Sequence, residues 1–322
     1  MRLVIGARKR MSVYSVDRAA ICRGMRARKG EAMPYQSIFR PDLFRDQVMV
    51  VTGGGSGIGR CIAHELAALG AMVVITGRTE AKLKTVAAEI EEDGGRAGHA
   101  VFDIRDEAAV GEQVGAILDR YGRIDGLVNN AGGQFPARLE NISANGWNAV
   151  VTNNLTGGFL VSREIYTQWM KQHGGAIVNI TADFWRSMVE MGHTGAARAG
   201  MTSFTETAAV EWGPDGVRVN SVAPGWIASS GFDSYDDLET RRRFAEMPKF
   251  VPLKRIGTEA ELSAAVVFLL SPAAAFITGA ALRVDGGVPN TCVNIPLPDV
   301  DAGSASYEGF HRAVRPKVLD EK

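Results

Sequence analysis

Five glycines fall within eight residues in Thr52-Gly53-Gly54-Gly55-Ser56-Gly57-Ile58-Gly59. The run follows an apolar stretch, Val48-Met49-Val50-Val51, and precedes Ile58, Ile62, Leu66 and Leu69 at helical spacing. A buried parallel strand reads as a continuous apolar run, so the context is strand, turn, helix. In that context the open N–H groups at a helix N-terminus receive phosphate. Gly53 allows the tight turn, and Gly57 lets the backbone approach a pyrophosphate. Gly53, Ser56, Gly57, Ile58 and Gly59 are therefore the expected contacts of a dinucleotide.

The pattern continues. Strands are expected over 72–75, 99–102, 124–128, 176–180, 217–222 and 281–284. Helices are expected over 79–90, 108–121, 147–171, 199–212 and 259–270. Short connections between alternating strands and helices predict parallel βαβ units and right-handed crossovers. The fold class is α/β: a doubly wound Rossmann-type parallel sheet of about seven strands, helices on both faces, in one domain over 33–290. A charged stretch around 227–257, with Arg241-Arg242-Arg243 and Asp236-Asp237, breaks the pattern. It reads as a helical excursion and a candidate substrate lid, because ligands in such sheets bind beyond the carboxyl ends of the strands. Residues 291–322 form a tail without periodicity.

Charge narrows the function. Residues 1–32 carry nine Lys/Arg against Asp17 and Glu31, so +7, and the rest of the chain is −7. A body of that charge is a poor nucleic-acid binder. The basic segment reads as a transit-like peptide, a nucleic-acid arm, or an upstream extension outside the working protein with Met33 as the start, the last being preferred. No stretch has the length of a membrane helix. Cys22, Cys61 and Cys292 stand far apart, which excludes a cysteine-built zinc site and fits a reducing, cytoplasmic setting. The scattered histidines give no metal-ligand spacing, so no metal is expected. Carboxylates that bind a ribose 2′-OH stand at the end of the second strand, but here the end is Thr76-Gly77-Arg78. Arg78, with Arg60 as a second cation near the turn, favours a 2′-phosphate, hence NADP(H) over NAD(H).

The glycine turn, Asn129-Asn130-Ala131-Gly132 after strand four and Pro224-Gly225 after strand six together resemble the short-chain dehydrogenase/reductase family over about residues 45–290. The resemblance implies that Asp103 meets the adenine edge and that Asn130, Ala131 and Gly132 line the dinucleotide cleft. It implies that Pro224, Gly225 and Ile227 lie beside the nicotinamide. It also implies a homo-oligomer, a tetramer, built on helices 147–171 and 199–212. Trp147, Phe159 and Trp169 then read as packing residues.

The catalytic signature of that family departs here. Its Ser position falls on Ala182, beside Thr181; its Tyr position on Thr194; its Lys position on Arg198; only its Asn is matched, by Asn154. Asn154, Arg198, Thr194 and Thr181 are the expected catalytic set. A threonine hydroxyl is a far weaker acid than a phenol, so oxidation of an ordinary alcohol is disfavoured. Fixed positive charge at Arg198 suits the nicotinamide ribose of the cofactor or a developing anion, so Arg198 is also an expected cofactor contact.

A closer resemblance, carried by His193-Thr194-Gly195-Ala196-Ala197-Arg198-Ala199-Gly200 and Leu270-Ser271-Pro272-Ala273-Ala274-Ala275-Phe276, is to the peroxisomal trans-2-enoyl-CoA reductases and their bacterial relatives, near the 2,4-dienoyl-CoA reductases. It implies NADPH-dependent hydride transfer to Cβ of an α,β-unsaturated acyl thioester. The dienoyl-CoA reductases use a Tyr shortly after strand five, where this chain has Phe184. Thr181, Asp183, His193 and water remain open as the source of the Cα proton. Two other readings stand beside this one: a 3-ketoacyl or alcohol oxidoreductase with an atypical acid, and a dinucleotide-binding protein without catalysis.

Overall fold

The computed structural model describes residues 34–234, 238–291, 297–298 and 304–319. The basic segment 1–32 and the cysteines 22 and 292 lie outside the described residues.

Strand β1 (Val48–Thr52) leads through α1 (Gly57–Ala68) to β2 (Met72–Gly77), then α2 (Glu80–Glu92) to β3 (Arg96–Val101). Helix α3 (Glu107–Tyr121) returns the chain to β4 (Gly126–Asn129) on the other side of β1. A long helix α4 over 144–173 and β5 (Gly175–Ile180) follow, then α5 (Gly192–Trp212) and β6 (Val217–Pro224). The charged excursion begins and ends on a two-stranded sheet, β7 (Ile227–Ala228) paired with β8 (Gly257–Thr258), and contains α6 (Leu238–Phe250). Helix α7 (Glu259–Leu270) and β9 (Ala281–Val284) complete the domain.

The main sheet is ordered β3-β2-β1-β4-β5-β6-β9, with every pair parallel. This is the expected seven-stranded doubly wound sheet. Val50 faces Val74 on one side and Leu127 on the other, so β1 is central and all five of its residues are buried. One core lies between the sheet and α1, α2 and α7, with Ile62, Leu66, Leu83 and Val266. A second lies under α3, α4 and α5, with Val114, Ile165, Met170 and Ala208. The chain turns back across the sheet after β3, which opens a crevice at the carboxyl ends of β1 and β4.

Three elements differ from the sequence pattern by more than two residues at one end. Strand β3 starts at Arg96 rather than 99; it is an edge strand, and Arg96 at its start is exposed, so its first residues carry no apolar signal. Helix α5 starts at Gly192 rather than 199. No side chain caps it at Met191, and its first turns are held by burial of His193, Thr194 and Ala197, which local propensity does not reveal. Helix α4 is interrupted by π turns at Thr152–Thr156 and Tyr166–Met170. Of its aromatic residues Trp169 packs on the core, whereas Trp147 and Phe159 are more than a third exposed.

The tail without periodicity is nevertheless held. Phe310 is 4% exposed, stacks on Tyr35 and shares a small core with Cys61 and Ala260. Arg312 pairs with Asp93 at 2.8 and 3.0 Å, and the hydroxyl of Thr258 donates to the Tyr307 carbonyl at 2.7 Å. Phe310→Ala is expected to cost about 3–4 kcal/mol and to make 304–319 the first site of limited proteolysis. Cleavage there at the wild-type rate would show that this contact does not hold the segment.

Candidate active site

At the phosphate end, Thr52 ties two loops together. Its Oγ1 accepts from the N–H groups of Asn130 and Ala131, both at 3.0 Å, and donates to the Val128 carbonyl. The Asn130 amide donates back to the carbonyls of Thr52 and Gly53. Asn130 thus fastens the glycine turn to the β4 loop, with Ala131 beside it. Gly53 and Gly57 take φ of +66° and +55°, a left-handed conformation that glycine adopts without penalty. Helix α1 starts after Ser56 with no side-chain cap, which leaves its first N–H groups to an anion. A cavity of about 230 Å³ opens there, lined by Ser56, Gly57, Arg60, Lys82, Ser230 and Glu259 among others. The uncapped turn and this cavity fit a pyrophosphate, with Ile58 and Gly59 in the first helical turn.

At the adenosine end, Arg78 is exposed just beyond β2. Asp103, beyond β3, is gripped by Arg105 at 2.5, 2.9 and 3.0 Å, and that grip, reinforced by Arg78, holds its carboxyl below the usual range. Arg105 escaped the sequence reading, although the Asp-x-Arg spacing was visible. Arg60 is not free. It pairs with Glu89 at 2.7 Å, donates to the Arg312 carbonyl and stacks on Phe310.

At the chemistry end, Gly132, Asn154 and Arg198 converge. A Cβ on Gly132 would lie 2.6 Å from both Arg198 Nη2 and Asn154 Oδ1. Asn154 sits in the first π turn of α4, a common device at functional sites. Its amide donates to the carbonyls of Gly133 at 2.6 Å and Val150 at 2.9 Å, while Oδ1 accepts from the Gly133 N–H. Both amide hydrogens are thereby committed, and Asn154 holds the 132–133 loop.

Arg198 donates from Nη1 to the Ile180 carbonyl at 2.6 Å. Its Nε is buried and has no partner among the described residues, and burial alone lowers the guanidinium to about 10. Among the described residues no carboxylate forms an ion pair with it. Thr194, one helical turn earlier on the same face, has a buried hydroxyl without a partner. His193 accepts the Thr194 N–H at Nδ1, so in its neutral form the proton is on Nε2, which is buried and unpartnered.

Thr181 points elsewhere: its hydroxyl donates to the Val222 carbonyl. Pro224 and Gly225 close the far wall, where Asp183 N–H donates to the Pro224 carbonyl and Gly225 N–H to Val284. Ile227 is buried in β7. Asp183 is half-buried, and burial, with Asp285 nearby, raises its carboxyl above the ordinary range. Tyr166 is remote, stacked on Trp212 and bonded to Asp215.

The family model described as enoyl-(acyl carrier protein) reductase matches residues 53–289. The peroxisomal 2,4-dienoyl-CoA reductase, (3E)-enoyl-CoA-producing, of Danio rerio is 40% identical over 81% of this chain and 87% of its own length. A citronellol catabolism dehydrogenase of Pseudomonas aeruginosa PAO1 is 56% identical, with a TM-score of 0.72, over 79% of this chain and 99% of that one. An actinorhodin polyketide ketoreductase solved with NADPH is 32% identical, with a TM-score of 0.73, over 78% and 100%.

A buried charge without a counter-charge contributes little to stability. Arg198→Met is expected to leave the unfolding free energy within about 1 kcal/mol of wild type, or above it. A loss of more than about 3 kcal/mol in urea denaturation would instead make Arg198 a structural residue.

Proposed function

Because the chain belongs to the short-chain dehydrogenase/reductase family, we propose that it is an NADPH-dependent reductase of α,β-unsaturated acyl thioesters of the trans-2-enoyl-CoA type. The observation that carries this reading is a set of donors at the start of α5 without a partner among the described residues, Thr194 Oγ1, His193 Nε2 and Arg198 Nε, in the position where a phenol would serve an alcohol or ketone. Buried donors without acceptors call for an explanation, and a developing enolate oxygen is the acceptor they suit. The bound dinucleotide supplies hydride to Cβ. Arg198 holds the negative charge that develops on the thioester oxygen, and Thr194 adds a neutral donor. Asn154 fixes the Gly132–Gly133 loop beside Arg198. Asp183, its carboxyl already raised, gives its proton to Cα and regains one from water. Arg78 and Arg105 hold the adenosine end, Arg78 through the 2′-phosphate.

The name of the dienoyl-CoA relative and the NADPH in the ketoreductase structure support this reading. It takes the protein as cytoplasmic and homotetrameric, with exposed Phe159 and Val210 on the associating face of α4 and α5. Among the described residues no helix is long and apolar enough to cross a membrane.

The 56% identity to a citronellol catabolism dehydrogenase favours a second reading, a dehydrogenase of a terpenoid alcohol. Three assays separate the two: NADPH consumption with a medium-chain trans-2-enoyl-CoA, NADPH consumption with the matching 3-ketoacyl-CoA, and NADP⁺ reduction with citronellol. Turnover of the enoyl substrate is expected, lost about 100-fold or more in Arg198→Met. Turnover confined to the ketoacyl substrate or to citronellol would overturn the proposal, and silence on all three with NADPH bound would favour binding without catalysis. Arg78→Ala should weaken NADPH binding about tenfold and leave NADH unchanged, because one charge-assisted contact is worth about 1.5 kcal/mol or more. An unchanged NADPH preference would remove the 2′-phosphate assignment.

A further inference from the structure

Glu259 is the first residue of α7, far from the glycine turn in sequence, yet it faces that turn. It is 6% exposed. Its Oε1 lies 3.8 Å from where a Cβ on Gly57 would stand, with Ser230 Oγ at 3.5 Å and Ser229 at 4.0 Å. These groups surround the one residue of the turn that has to admit a pyrophosphate. Glu259 lines the same cavity as Ser56, Gly57 and Ser230. A buried carboxylate is an unexpected neighbour for a doubly charged anion. Two like charges in a low-dielectric cleft repel strongly, and a carboxyl so placed keeps its proton.

The charged surroundings do not offset this. From α1, Arg60 faces Glu259, but Arg60 is already paired with Glu89, and Cys61 is a buried thiol behind it. From α2, Lys82 and Glu89 line the same cavity with opposite charges, and the tail contributes Val314. Burial pushes the Glu259 carboxyl up to about 7, with Arg60 only partly opposing.

We propose that Glu259 enters the dinucleotide site as a carboxylic acid and donates its proton to the pyrophosphate, so that cofactor binding takes up a proton. This rests on the reading that the glycine turn holds a pyrophosphate. A proton-donating carboxyl binds the anion, and an ionised one repels it. Affinity is therefore full below the pH at which the free site ionises and falls as pH rises through neutrality.

The test is NADPH binding by the full chain, followed by nicotinamide fluorescence between pH 6 and 9 at fixed ionic strength. In the wild type the dissociation constant should rise on the order of 10- to 100-fold across that range, at most tenfold per pH unit for one linked proton. In E259Q, whose amide donates without titrating, the rise should be less than about threefold. Both proteins share the titration of the 2′-phosphate near about pH 6, which therefore cancels. Calorimetry of the wild type at pH 8 in buffers of different ionisation enthalpy supplies a readout that needs no variant, and uptake approaching one proton is expected. Parallel pH profiles for the two proteins, or no proton uptake at pH 8, would overturn the proposal while leaving the pyrophosphate site standing. Absence of NADPH binding by both proteins at every pH would overturn the site itself and the role of Glu259 with it.

Discussion

The crevice between β1 and β4 depends on one hydroxyl. Thr52 receives two backbone N–H groups from the β4 loop and donates to the strand that precedes it, while the Asn130 amide returns two bonds to the turn. A parallel sheet splays its loops at the point where the topology switches, and only side chains can tie them across that gap. Once the tie is made, Gly132 is brought against Asn154 and Arg198, and the phosphate and chemistry ends of the crevice share one frame. Asn154 reinforces the frame from α4, where the π turn directs its amide into the loop.

Within this frame the family resemblance sets Thr194 and Arg198 where its catalytic signature has a phenol and an ammonium. A phenol and an ammonium would pass a proton to a carbonyl oxygen. Thr194 and Arg198 have no group that titrates near neutrality, so they stabilise charge without moving a proton. Among the described residues no carboxylate pairs with Arg198, and under the proposed reading its charge serves an anion formed during reaction. Under the proposed reading proton delivery passes to another group, and Asp183, whose carboxyl is raised by burial with Asp285 nearby and whose N–H bonds the Pro224 carbonyl, is the group assigned to it.

The strands and helices were legible because apolar runs and helical spacing report burial directly. The expected bounds of α7 and β9 coincide with the structure. The first turns of α5 were not legible, since Gly192 and Gly195 weaken local propensity and tertiary burial of His193 and Thr194 supplies the order. The glycine turn was read from its spacing, Arg78 from the charge at the end of the second strand, and the Gly132 loop from the family resemblance. Glu259 was not, because no short-range pattern relates it to Gly57, and Arg60 was read as a second cation near the turn because nothing in the local pattern pairs it with Glu89 or Phe310. Thr181 and Asn154 were read as catalytic from their positions in the chain, and the sequence did not reveal that their hydrogens are committed to backbone carbonyls.

The central claim is that hydride goes to Cβ of an enoyl thioester while Cα takes its hydrogen from a group in exchange with water. Mass spectrometry of the saturated product formed from a trans-2-enoyl-CoA with NADPH deuterated at the transferring position of the nicotinamide tests it directly. The account predicts one cofactor deuterium at Cβ and, in a parallel reaction in D₂O with unlabelled NADPH, one solvent deuterium at Cα. Cofactor deuterium on a carbinol carbon, or no transfer of label to the acyl chain, would contradict it.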